Sequence, residues 1–177
     1  MTVSGYTIRN AHRSDVPKLP DIEREAASLF ASRATELGFK PDAPVHVNSL
    51  DTFQLAEQSG RLWVALDSST QPVGFALVRE IDGFAHIEEM DVLPAHGRKG
   101  VGAALLETVC VWARETGYPA VTLSTFRDVP WNGPFYERHG FHVVEPSTLS
   151  KGLAQVVEKE RRHGLRTDLR VIMRKDT

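Results

Sequence analysis

The segment at residues 92–103, Val-Leu-Pro-Ala-His-Gly-Arg-Lys-Gly-Val-Gly-Ala, constrains the fold more than any other part of the chain. An apolar, strand-like run ends at Pro94, and a basic, glycine-rich loop follows it. The loop leads directly into residues 100–116, where apolar residues repeat at helical spacing on one face. These residues are Val101, Leu105, Val109 and Trp112. The pattern predicts a strand, a tight loop and a long amphipathic helix in immediate succession.

The glycines and charges of this loop indicate an anion site. Glycine lets the backbone approach a ligand closely, and N–H groups in the first turn of a helix lack partners within the helix. The helix dipole and the side chains of Arg98 and Lys99 add attraction for a negative group, most naturally a phosphate. A Walker loop needs Ser or Thr after Gly-Lys, and a dinucleotide fingerprint follows an N-terminal strand, so both fit poorly. Taken alone, the loop also fits a plain strand-to-helix connection with a solvated basic tip.

Hydrophobic periodicity elsewhere predicts alternating short strands and helices, with an Asp82-Gly83 hairpin turn between two neighbouring strands. The order β-α-α-β-β-β-α-β-α-β-α-β predicts one mixed-sheet α/β domain over residues 1–177. The predicted strands are residues 6–9, 62–66, 73–81, 84–93, 121–126, 141–144 and 170–174. The predicted helices are residues 21–37, 50–58, 100–116, 132–139 and 151–163.

Composition excludes several classes of protein. The 177 residues include 21 Lys and Arg against 23 Asp and Glu, a net charge of −2, so no overall basic field favours nucleic acid. No apolar run approaches the ~20 residues of a membrane span, and the first ten residues lack a signal-peptide layout. The single cysteine, Cys110, cannot form an internal disulfide, which fits a reducing compartment. We therefore expect a cytoplasmic protein without a membrane partner, and the histidines show no metal-ligand spacing.

A second motif lies at residues 131–141, Trp-Asn-Gly-Pro-Phe-Tyr-Glu-Arg-His-Gly-Phe. Together with the glycine loop, it resembles the GCN5-related N-acetyltransferase (GNAT) superfamily. The family's [Gln/Arg]-x-x-Gly-x-[Gly/Ala] loop resembles residues 97–102, and the two motifs stand in the family's order and at its usual separation. The resemblance covers residues 73–145 well. One position departs from it, because Gly97 stands where the family has Gln or Arg.

This resemblance implies a mostly antiparallel central sheet flanked by helices, and an enzyme that uses acetyl-CoA as co-substrate without a metal. It implies that backbone groups of Met90 and Val92 hold the pantetheine and polarise the thioester, and that Asn132 contacts the pantetheine or pyrophosphate arm of the cofactor. Tyr136 stands where the family places its general acid, which protonates the departing thiolate. The residues implied at the pyrophosphate are Gly97, Arg98, Lys99, Gly100, Val101, Gly102 and Ala103.

The catalytic base is expected on the strand at residues 84–92, which carries an unusual number of ionisable side chains for a central strand. Relatives place their base at the positions of Glu88 and His86, and we favour Glu88 with His86 second. A bulge near Glu88 and Glu89 is expected, because Ile87 and Met90 can both face the core only if one intervenes. A solvated or salt-bridged Glu88 and a hydrogen-bonded His86 without a catalytic part are the alternatives.

The acceptor is expected to be a primary amine on a small molecule or a peptide, attacked directly in a ternary complex, and a homodimer is common among relatives. Glu23, Glu25 and Phe30 on the first helix are substrate-side candidates, although an ordinary surface or packing role is more frequent. Mixed charge on the helix at residues 151–163 indicates a solvated face. The alternative function is a non-catalytic acyl-CoA-binding sensor or regulatory module with the same fold.

Overall fold

The computed structural model describes residues 2–39 and 47–177, which form the predicted strands and helices in the predicted order, with one additional short strand at Thr2–Val3. The strands are β1 Thr2–Val3, β2 Tyr6–Asn10, β3 Leu62–Leu66, β4 Pro72–Ile81, β5 Phe84–Val92, β6 Ala120–Phe126, β7 His142–Val143 and β8 Arg170–Asp176. The helices are α1 Leu19–Ala27, α2 Leu50–Gln58, α3 Val101–Thr116, α4 Gly133–Arg138 and α5 Lys151–Arg162. Within these described residues, no helix is long and apolar enough to cross a membrane.

The described residues form two compact units, and β5 contributes one part to each. The first unit holds residues 2–32, 47–79 and 88–112, and its strands follow the order β1-β2-β3-β4-β5. Strands β1 to β4 pair antiparallel, with Arg9 opposite Val64 and Trp63 opposite Ala76. The predicted mixed, mostly antiparallel sheet is confirmed.

Helices cover both faces of the sheet in the first unit. Phe75 packs edge-to-face on Phe53 of α2 at 5.2 Å, within a core that α1 also joins. Successive residues of a strand point to opposite faces, and Trp63 contacts Trp112 of α3 at 4.9 Å. Pro72–Val78 is therefore buried at every position.

The second unit holds residues 33–39, 80–87 and 113–177, with strand order β5-β6-β8-β7. Strand β5 pairs parallel with β6, and Ala85 lies opposite Val121. Strand β8 returns antiparallel along all of β6. Helix α5 buries Leu153 and Val156 in a cluster with Ile172, so it has a packed face as well as the charged face that the sequence indicated.

The hairpin between β4 and β5 forms as predicted. Asp82 and Gly83 have φ of 49° and 78°, the positive values that a tight two-residue hairpin turn requires. Helix α5 begins close to this turn, since the Gly152 N–H donates to the Asp82 carboxylate at 2.6 Å.

The predicted helix at residues 21–37 is shorter than expected. Helix α1 ends at Ala27, and Ser28–Arg33 forms a 3-10 segment with no buried residue. Most helical stability in proteins comes from packing an apolar face, so a helical composition without such a face does not extend an α-helix.

Candidate active site

The glycine-rich loop after β5 has the backbone of an anion site. A short 3-10 turn at Pro94–His96 ends the strand, and Arg98 and Gly100 then take positive φ of 57° and 83°. Backbone that alternates in this way turns successive N–H groups into one concave surface. The loop is anchored at both sides, because the Tyr6 hydroxyl lies 2.9 Å from Nδ1 of His96 and the Lys99 ammonium donates to the Ala95 carbonyl at 2.9 Å.

Helix α3 continues this concave surface with its first turn. The Ala104 N–H donates to the Gly100 carbonyl at 3.0 Å, so the three preceding N–H groups come before the first intrahelical bond. They belong to Val101, Gly102 and Ala103. The structure thus brings together the loop residues that the sequence predicted for phosphates, at the positive end of the longest helix.

The acidic end of β5 lies beside β4 in the first unit. Nε of Arg79 lies 2.6 Å from Oε2 of Glu88, and the Glu88 side chain is 18% exposed. Burial first, and then the charges of Glu89 and Glu23, raise the pKa of Asp91 well above its usual range. The salt-bridged state of Glu88, one of the two alternatives from sequence, is the one that the structure contains.

Close backbone contact positions the predicted thioester-binding residues at this end of β5. Met90 and Val92 are half-buried, and the Leu93 N–H donates to the Val73 carbonyl at 2.9 Å. A Cβ on Gly74 would lie 2.7 Å from the Asp91 carbonyl oxygen. Only glycine at position 74 therefore lets β4 approach β5 this closely.

Glu23 of α1 interacts electrostatically with the carboxyl groups of Glu88 and Asp91 on β5. It is 4% exposed, and both its oxygens accept hydrogen bonds from Asn48, at 3.0 to 3.1 Å from the backbone N–H and at 3.0 Å from Nδ2. Burial raises the pKa of Glu23 to about 7, and the nearby Glu88 charge adds to the rise while the Asn48 hydrogen bonds oppose it. Glu23 is thus a carboxyl that titrates near neutrality.

His86, the second candidate base, lies in the second unit on β5. It is 2% exposed, and its Nδ1 lies 3.0 Å from the hydroxyl oxygen of Thr122 on β6. This is the hydrogen-bonded histidine that the sequence left open as an alternative.

Asn132 and Tyr136 lie at α4 in the second unit. The Asn132 carbonyl accepts from the Phe135 and Tyr136 N–H groups at 2.8 and 3.0 Å, while its side-chain Oδ1 is buried and has no hydrogen-bond partner among the described residues. Tyr136 is 7% exposed and packs edge-to-face between Phe135, at 5.1 Å, and Phe141, at 5.7 Å. A buried acceptor without a donor costs free energy in the folded protein. A ligand N–H group that donates to Asn132 Oδ1 would remove this cost, so the atom is suited to bind one.

Comparison with known proteins places this site in a family. The model of the acetyltransferase (GNAT) family matches residues 24–141. The chain belongs to the acetyltransferase (GNAT) family. The resemblance predicted from the two motifs is therefore confirmed.

Solved structures share the fold of this GNAT protein at low identity. PaiA N-acetyltransferase from Thermoplasma acidophilum, in complex with coenzyme A, is 16% identical with a TM-score of 0.69, covering 97% of this chain and 99% of that one. The ribosomal-protein-S18-alanine N-acetyltransferase from Escherichia coli is 19% identical with a TM-score of 0.66, covering 97% and 93%. N-acetylglutamate synthase from Neisseria gonorrhoeae, complexed with coenzyme A and N-acetyl-glutamate, is 16% identical with a TM-score of 0.70. There the match covers 97% of this chain and 35% of the synthase.

The sequence indicated Glu23 of this GNAT chain only as a substrate-side candidate, although its spacing on α1 also predicts that it is buried. The buried face of α1 repeats at i, i+3, i+4 and i+7, and Glu23 occupies the third of these positions. The face consists of Leu19, Ile22, Glu23 and Ala26. A carboxylate within an apolar helical stripe is rarely buried without a specific partner, so this position separates Glu23 from the exposed Glu25.

Gly133 allows α4 to begin directly against the end of β6, and we predict that Gly133→Ala is strongly destabilising. An added Cβ would lie 2.2 Å from the Arg127 carbonyl oxygen, a backbone atom that cannot move away cheaply. Overpacking of this kind costs about 1–3 kcal/mol, measurable as a lower midpoint of urea unfolding. Gly60→Ala is the control: its Cβ meets no atom within 4 Å, so only the cost of its φ of 68° remains. Equal midpoints for the two variants would contradict the close contact.

Proposed function

We propose that this protein transfers an acetyl group from acetyl-CoA to a primary amine by direct attack in a ternary complex. The observation that carries the proposal is the concave backbone of Arg98 to Gly100, which opens into the N-terminus of α3. Family membership supports acyl-CoA-dependent transfer in general. The acetyl donor, the amine acceptor and the residue roles are our proposal.

The residues present fit an acyl-CoA. The loop and the first turn of α3 offer backbone N–H donors to a pyrophosphate, and the buried Asn132 Oδ1 offers an acceptor to a pantetheine amide N–H. Main-chain groups of Met90 and Val92 are proposed to hold the pantetheine and polarise the thioester carbonyl. The residues proposed to surround the pyrophosphate are Gly97, Arg98, Lys99, Gly100, Val101, Gly102 and Ala103.

The acid and base roles follow from the resemblance to the family. An alkylamine is mostly protonated at pH 7, so a base must remove a proton before the nitrogen can attack. Glu88 or His86 occupies the family's positions for that base. The Tyr136 phenol protonates the departing thiolate, a suitable role because tyrosine stays neutral at pH 7. The acidic side chains at the end of β5 favour a cationic acceptor.

A screen for released CoA thiol tests this function. The purified protein is incubated with acetyl-CoA and a panel of small amines, amino acids and peptides, and turnover is expected with at least one acceptor class. Binding of acetyl-CoA by calorimetry without thiol release from any acceptor would instead favour the non-catalytic sensor. The same preparation tests two further proposals, a single domain over residues 1–177 and a homodimer, by limited proteolysis and light scattering. A cytoplasmic location is tested by fractionation of cells that express the protein.

The loop's part in binding is tested by Gly100→Ala. Gly100 has a φ of 83°, and alanine in this region costs roughly 1–2 kcal/mol, so the loop should shift and the Kd for CoA should rise about tenfold. Gly117 ends the same helix with a φ of 87° and open space around it, which makes Gly117→Ala a matched control. The control should lose similar stability while its Kd stays unchanged. Equal Kd values for both variants would remove the loop from the CoA site.

A further inference from the structure

Resting on the proposed function, we propose that Glu23 of α1 is the group that takes the proton from the amine, while Glu88 binds the ammonium as a fixed negative charge. The proposal differs from the assignment of the base to Glu88 or His86. It depends on the contacts of two carboxyl groups, Glu23 and Glu88, and of the His86 imidazole, and on which of these groups still has an atom that can accept a proton.

Glu23 retains a site for a proton. A carboxylate has about four lone-pair positions on its two oxygens. Asn48 uses Oε1 twice, through Nδ2 and through a shared backbone N–H, and uses Oε2 only through that shared N–H. Within the part of the chain that the structure describes, one lone pair of Oε2 therefore has no donor, and Asn48, just before α2, holds the orientation of the side chain.

Glu88 and His86, the two other candidate bases, are less able to accept a proton from the amine. Oε2 of Glu88 lies 2.6 Å from the Arg79 guanidinium, and protonation of Glu88 would cost that ion pair. His86 is 2% exposed and already shares Nδ1 with Thr122. The structure thus leaves Glu88 engaged in an ion pair with Arg79, and Glu23 as the carboxyl with an oxygen that can accept a proton.

Charged groups on two elements, α1 and β5, lie close enough to Glu23 to affect its ionisation. Its own helix contributes Arg24, whose charge favours the carboxylate, while β5 contributes Glu88 and Asp91, whose charges interact unfavourably with it.

The proton and electron balance is complete within the proposed reaction. The ammonium gives one proton to Oε2 of Glu23, directly or across one water, and the freed nitrogen lone pair attacks the thioester carbon. The new N–C bond forms as the C–S bond breaks, and the sulfur leaves with the bonding pair and takes the Tyr136 proton. The second nitrogen proton returns to the Tyr136 oxygen. The products are the amide, the CoA thiol and a protonated Glu23, which loses its proton to solvent.

The test is the pH profile of kcat/KM for an alkylamine whose pKa is near 10. If Glu23 is the base, kcat/KM of the wild type rises tenfold per pH unit up to about pH 7 and then levels off. In Glu23→Gln only neutral amine reacts, so kcat/KM keeps rising tenfold per unit beyond pH 8 and is about 100-fold or more below wild type at pH 7.5. Glu88→Gln should raise KM and still show a bend, moved slightly to lower pH because the Glu88 charge no longer raises the pKa of Glu23.

Two further variants separate a catalytic from a structural role. Asn48→Ala removes the Nδ2 donor and should move the bend to higher pH, because the carboxylate loses one stabilising hydrogen bond. Glu107→Gln, on the exposed face of α3, should reproduce the wild-type profile. A bend near pH 7 that persists in Glu23→Gln, or an unmoved bend in Asn48→Ala, overturns the assignment to Glu23 alone. No thiol release by the wild type from any acceptor overturns the proposed function and this assignment with it.

Discussion

Replacement of Tyr136 by phenylalanine is expected to lower kcat about 100-fold while changing the Kd for acetyl-CoA less than about threefold. The substitution removes only the hydroxyl. The ring contacts with Phe135 and Phe141 stay in place, and they hold the side chain in a position that is 7% exposed. A phenol that donates its proton to the leaving sulfur acts only as the C–S bond breaks, so its loss affects kcat rather than ground-state binding.

A matched substitution elsewhere separates this effect from the general loss of a hydroxyl. Tyr118 donates from its hydroxyl to Glu80 at 2.9 Å, outside the candidate site, so Tyr118→Phe makes the same chemical change without a role in the reaction. Steady-state kinetics of both variants, with acetyl-CoA binding measured by calorimetry, give the comparison. If kcat of Tyr136→Phe stays within threefold of wild type for every active acceptor, Tyr136 is not the general acid.

Features that depend on a few neighbouring residues could be predicted from the sequence. The Asp82-Gly83 turn, the loop before α3 and the α3 stripe are set by local backbone preferences and helical periodicity, and all three are confirmed. The family was also predictable, because two motifs in a fixed order carry more information than either motif alone.

Features that depend on distant residues were harder to predict. The burial of Glu23 is completed by Asn48, which lies 25 positions further along the chain. The end of α1 at Ala27 depends on the lack of a packing partner for Ser28–Arg33, and the packed face of α5 depends on Ile172. None of these contacts can be recognised from neighbouring residues in the sequence, because each joins residues that become close only in the folded protein. The ion pair of Glu88 with Arg79 was foreseen only as an alternative for the same reason.

The stability of the protein should fall between pH 4.5 and about 7, and Glu23→Gln should remove most of that fall. Burial raises the pKa of Glu23 from 4.5 to about 7, so the folded protein binds a proton more tightly than the unfolded chain in this range. A group with a raised pKa in the folded state contributes its full stability below the unfolded value and loses it as the pH rises through the folded value. The loss amounts to at most about 3 kcal/mol.

Glutamine keeps the shape of the side chain and an oxygen that accepts from the Asn48 N–H groups, but it does not ionise. The free energy of unfolding of Glu23→Gln should therefore increase relative to that of the wild type as the pH rises from 5 to 8. This increase corresponds to a relative rise in Tm of roughly 5–10 °C. The pKa of Asp91 is also raised partly by the Glu23 charge, so its own destabilisation should lessen in the variant and change Tm in the same direction. Glu107→Gln, at an exposed position, should follow the wild-type curve at every pH. Parallel Tm curves for wild type and Glu23→Gln would mean that the carboxyl ionises at its ordinary pH, and a buried proton acceptor at this position would then have no physical basis.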